Sequence, residues 1–265
     1  MMKNVVSVFC IGTLCLLNGT GFCTPPPDHI DLTKFPATQL DEVVVPLPSE
    51  IFNVLNKLGS PNWEEQLRDP VIKNTGERAQ IALLLGCVVA EGFVAVEAAD
   101  KERVKRIGRD VLELARAIGV ESTVLSRTNS IVTKADSGDW PAVRTELDGA
   151  LTDVKNAMIE LKDDHLAHLV SLGGWLRGTE VLTAVVQKSY SPDGADLLNQ
   201  PDLLRYFQTR LAVMPQRLRS DPLVTRIEKG LQEISPLINQ KITPGSVKRI
   251  NEITGHMVHA IDSRA

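Results

Sequence analysis

The chain has 265 residues, a net charge of −4 and only 4% aromatic residues. The acidic balance and the lack of a basic run exclude a nucleic-acid groove, so no nucleic-acid partner is expected. The few aromatics argue against a sugar cleft lined with stacked rings.

At the N-terminus, Lys3 precedes an unbroken apolar run over residues 5–17. Thirteen residues are too few for a bilayer-spanning helix, which needs ~20, and suit the core of an export signal. Small residues follow at 18–21, so residues 1–22 read as a cleaved signal peptide, and the chain as exported to the periplasm or cell envelope. With the signal removed, the mature chain is expected to hold no transmembrane helix. Cys23 lies just behind the run and ahead of Pro25, Pro26 and Pro27. It resembles the acylated cysteine of a bacterial lipoprotein, although Phe22 stands where a small residue is expected. A lipid anchor at Cys23 is therefore the minor alternative. Residues 23–48 read as a Pro-rich extended arm, with one short strand at most around Val43, Val44 and Val45.

From residue 49 onward the punctuation is helical, and 49–265 reads as a single helical domain. Ser60-Pro61, Asp221-Pro222 and Thr243-Pro244 each put a capping side chain before a proline at the first helical position. Asp139-Trp140-Pro141 is a looser version, and Gly119 and Gly138 read as C-terminal stops. Thr75 reads as a plain N-cap. Apolar spacing of three and four predicts helices over 49–58, 76–98, 101–118, 122–136, 140–161, 164–188, 201–213, 222–239 and 244–262. Pro236 is expected to end or bend the eighth early. The fold class is thus all-α, an irregular multi-helix bundle of about eight or nine helices.

Residues 81–96 carry one charge, Glu91, in an otherwise apolar run. A helix apolar on every side lies inside a bundle or a membrane. Residues 171–182 echo this segment: laid on 85–96, Gly178 meets Gly92 and Arg177 meets Glu91. Glycine inside a helix costs about 1 kcal/mol, which close backbone approach can offset. The two helices should cross centrally with Glu91 near Arg177.

Two constellations could carry function. The first is a central polar cluster of Glu91, Glu97, Arg177 and Glu180 with Trp175 alongside. A carboxylate in so apolar a run must be paired or titrate high. A satisfied ion pair fixing the helix crossing is the preferred reading; a ligand or acid–base site is the other. The second comprises two HxxH pairs, His165/His168 and His256/His259. Spacing of three puts each pair on one helix side, where zinc or copper could bind if the pairs met. Neither pair is HExxH, and GxSxG, Walker, GxGxxG and CxxC motifs do not occur. Cys87 reads as a small buried hydrophobe. The segment with Leu203, Leu204, Tyr206, Phe207 and Leu211 reads as a helix capping the bundle, a partner surface being the alternative.

The functional expectation is a non-enzymatic interaction or small-ligand-binding module, its partner an unknown protein or small molecule. A concave apolar pocket between the Gly-rich helices, with Arg177 reachable by a ligand carboxylate, would favour the ligand version. The alternative is a transition-metal-binding protein.

Overall fold

The computed structural model describes residues 37–40, 43–46, 48–58, 61–70, 72 and 77–263. The expected signal peptide, Cys23 and the Thr75 cap lie outside these residues. Among them the fold is an all-α multi-helix bundle. A small hairpin precedes it: β1 (Ala37–Leu40) pairs antiparallel with β2 (Val43–Pro46), placing Thr38 opposite Val45. Part of the expected arm is therefore paired strand, and β2 packs on a helix of the bundle.

The helices are α1 (Pro48–Leu58), α2 (Arg78–Glu97), α3 (Lys101–Ile118), α4 (Glu121–Ser137), α5 (Trp140–Glu160), α6 (Asp164–Lys188), α7 (Pro192–Asp196), α8 (Pro201–Ala212), α9 (Gln216–Arg219), α10 (Pro222–Ile238) and α11 (Pro244–Ser263). A 3-10 turn spans Glu64–Gln66. The nine expected helices are all present, their ends within two residues of expectation. The short α7 and α9 escape a periodicity argument because neither completes two turns.

The punctuation behaves as the residue types require. Asp221 Oδ1 accepts from the amides of Leu223 (2.7 Å) and Val224 (3.2 Å). Thr243 and Ser246 cap each other's amides reciprocally at 3.1 and 3.2 Å. Gly119 and Gly138 take φ of 88° and 73°, the left-handed turn that closes a helix without steric cost. Pro236 does not end α10 early: the helix continues to Ile238. Its missing N–H falls in the last turn, where one lost bond can be tolerated.

α2 lies at the centre. Among the described residues it is the one helix long and apolar enough to cross a membrane, with a mean hydropathy of 2.1, and the protein buries that stretch completely. α3 and α6 both pack on it; α4 packs on α3, α5 follows α4 and returns against α2 and α6, and α11 backs α6. Burial all round explains why α2 shows no polar stripe.

α2 and α6 touch backbone to backbone. A Cβ on Gly173 would stand 2.0 Å from the Leu83 carbonyl oxygen, and one on Gly86 would stand 2.0 Å from that of Val170. Only hydrogen fits at these points. The close-approach glycines are thus Gly86 and Gly173, not the expected Gly92 and Gly178. Gly92 packs against the Leu147 and Ile107 side chains, and Gly178 faces open space. The overlay register itself holds: Glu91–Arg177 and Cys87–Gly173 are both contacts between residues 86 positions apart.

Candidate functional site

The expected polar cluster forms at the α2–α6 crossing and is sealed. Arg177 is 3% exposed and Glu91 2%. Arg177 donates through Nε to Glu91 Oε2 (2.9 Å) and through Nη1 to Glu180 Oε2 (2.9 Å), and its Nη2 is ion-paired with Glu91 Oε2 at 2.7 Å. Nη2 also donates to the Gln66 carbonyl. The other Glu91 oxygen accepts the Arg68 amide at 2.6 Å. Arg68 then bridges Glu180 (3.0 Å) on α6 and Asp262 (2.6 Å) on α11. The loop over residues 61–70 is thereby clasped onto three helices.

Burial pulls the Arg177 pKa down, but the Glu91 and Glu180 carboxylates more than reverse this and leave it above its ordinary value. Asp262 is raised, chiefly by burial, with Arg68 opposing. The Cys87 thiol beside the cluster is pushed well up by burial, which makes it a poor nucleophile. The gap between Cys87, Glu91 and Arg177 is about 10 Å³, too small for more than about one water. Glu91 therefore cannot meet a substrate as acid or base, and Arg177 cannot meet a ligand carboxylate.

Two expected members lie elsewhere. Glu97 sits at the far end of α2, where it accepts from Arg144 (2.7 Å) and Asn56 (2.5 Å). Trp175 projects from the opposite side of α6, since two residues turn a helix through about 200°. Its indole N–H donates to Gln200 (3.0 Å), and its ring packs on Phe207 at 5.6 Å.

The histidine pairs do not meet. Gly255, next to His256, lies against Glu180: a Cβ there would be 3.5 Å from Glu180 Oε1. Glu180 is twelve residues beyond His168 on α6, about 18 Å along the axis. His256 and His259 are exposed, whereas His168 Nδ1 shares a 2.8 Å hydrogen bond with the Tyr206 hydroxyl. Burial lowers the His168 pKa and pushes that of Tyr206 up to about 12. Among the described residues no three His, Cys, Asp or Glu side chains are grouped to hold a metal. The expected zinc or copper site is not formed there.

What the chain does build is an apolar cavity of about 120 Å³ on the other face of the α2–α6 pair. α6 supplies Ser171, Gly174, Trp175, Gly178, Thr179 and Leu182, one helical face, and α2 supplies Gly86, Val89, Ala90 and Phe93. α1 contributes Ile51, Phe52 and Leu55, α8 contributes Leu203 and Phe207, and α5 closes the wall with Asp148, Leu151, Thr152 and Lys155. Phe52 packs between Trp63 (5.4 Å) and Phe93 (6.0 Å), so this wall is closely packed aromatic surface. The apolar residues of α8 are buried and cap the cavity rather than forming an exposed patch.

Most polar groups around the cavity are already satisfied. Thr152 and Ser171 return their hydroxyls to the Asp148 and Ala167 carbonyls of their own helices, and Gln200 is held by Trp175 and Leu197. Lys155 differs. It is 9% exposed, and burial alone lowers its pKa from 10.5. Among the described residues it has no hydrogen-bond or ion-pair partner. Sequence reading passed over it because its spacing places it beside the apolar stripe of α5, where a lysine ordinarily extends into solvent.

No protein-family model, no curated protein and no solved structure matches this chain.

Proposed function

We propose that this protein is a non-catalytic binding module for a small, largely apolar molecule, working outside the cytoplasm. The cavity carries this reading. It is formed where helices pack together, and its walls come from five of them, α1, α2, α5, α6 and α8. Carbon-rich walls around a void forfeit dispersion contacts, which a ligand would restore. Engineered apolar cavities of similar size, ~150 Å³, stay dry and take up aromatic guests. Export rests on the apolar run over residues 5–17.

Gly178 offers the test, because it lines the cavity and a side chain added there meets nothing within 4 Å. The neutral dye N-phenyl-1-naphthylamine should bind the purified protein saturably, one per chain, with a rise in fluorescence. Gly178→Phe should fill the cavity and abolish binding while melting no earlier than wild type. Non-saturable dye uptake, or undiminished binding to a folded Gly178→Phe variant, would refute the reading.

A further inference from the structure

Resting on that reading, we infer that the natural ligand is a single-chain amphiphile with a carboxylate head, a medium-chain monocarboxylate, and that Lys155 binds its head group. The cavity is apolar over most of its surface, but its lining includes one largely buried lysine, 9% exposed and without an anionic partner among the described residues. A buried cation without a counter-charge is unfavourable, so a wholly apolar ligand would leave that cost in place. A ligand bearing one negative charge removes it.

The arrangement also fixes polarity. Asp148 lies seven positions before Lys155 on α5, two turns or about 10 Å away on the same face. A carboxylate is thus drawn to the Lys155 end and turned away from the Asp148 end, leaving its alkyl chain against Phe52, Trp175 and Phe207. A monovalent head suits the site better than a phosphate. The hydroxyls of Thr152 and Ser171 already serve their own helices, so few donors remain for additional oxygens. Arg177, the cation that the sequence puts forward, is occupied by Glu91 and Glu180.

Isothermal titration of decanoate, decanol and decyl phosphate into wild type, Lys155→Met and Lys155→Arg tests this. Wild type should bind decanoate about tenfold or more tighter than decanol, the gain expected of one charge-assisted contact. Lys155→Met should lose that preference yet keep decanol binding, and Lys155→Arg should restore the preference. Equal affinity for acid and alcohol, unchanged in Lys155→Met, would overturn the head-group assignment while leaving the apolar-binding reading intact. Tighter binding of decyl phosphate would overturn the choice of carboxylate. Failure of both decanoate and decanol to bind wild type would overturn the ligand class and the parent reading together.

Discussion

Two faces of the same helix pair are finished in opposite ways. On one, α2 and α6 meet around Glu91 and Arg177, every charge is answered, and the residual gap is about 10 Å³. On the other, the same helices leave a cavity of about 120 Å³ and a lysine with no partner among the described residues. The first face is what a protein builds to hold its helices in register. The second retains an unfilled volume and an uncompensated charge, features that reduce stability and so point to use.

The largest effect should come from breaking the sealed face. Arg177→Met strands a buried Glu91 and should cost about 3–5 kcal/mol in urea unfolding. The double variant Glu91→Leu/Arg177→Met should recover most of that loss, because no unpaired charge remains. A double variant as unstable as the single would show that the pair contributes more than mutual neutralisation.

Next come the glycines of α6, five positions apart. Gly173→Ala forces a methyl into the Leu83 carbonyl and should destabilise by about 3 kcal/mol. Gly178→Ala meets open space and should stabilise by about 1 kcal/mol through helix propensity alone. Thermal melts of the two variants moving in the same direction would contradict the assignment of the two faces.

Lys155→Met should stabilise the ligand-free protein, on the order of 1 kcal/mol near neutral pH. The sign follows from burial, which lowers the lysine pKa in the folded state. The unfolded chain then binds the proton more tightly, so the lysine opposes folding fully below its lowered pKa. That opposition fades as pH rises to 10.5, and the advantage of Lys155→Met should fade with it. An advantage independent of pH would mean that packing, not charge, is responsible.

The smallest effect should come from a more solvated ion cluster outside both faces. Lys134, Ser130 and Arg127 lower the Glu146 pKa from 4.5 to about 2, with Lys134 the largest contributor. Its stabilisation is present above pH 4.5 and lost as pH falls through about 2. Glu146→Gln should cost about 1 kcal/mol at neutral pH and approach wild type below pH 2.

Much of this architecture was legible from local chemistry. Helix ends could be read because Asp221, Thr243, Gly119 and Gly138 act within a turn of their own backbone. The Glu91–Arg177 pairing could be read because a charge inside so apolar a run must find its opposite, and Arg177 stands at the matching position of the run that echoes it. Register was legible but its contacts were not. Gly92 and Gly178 were matched by sequence, whereas rotation about each helix axis sets Gly86 against Val170 and Gly174, and Gly173 against Leu83.

The sequence by itself determined the helices, their caps and the pairing of the two central charges, since these depend on period, backbone geometry and the cost of burying ions. Tertiary structure alone decided that the two histidine pairs lie far apart, that Trp175 leaves the polar cluster, and that Lys155 is enclosed. A cavity is a property of five helices packed together. No single helix carries its signature, because whether a lysine beside an apolar stripe reaches water depends on what neighbouring elements place in its path.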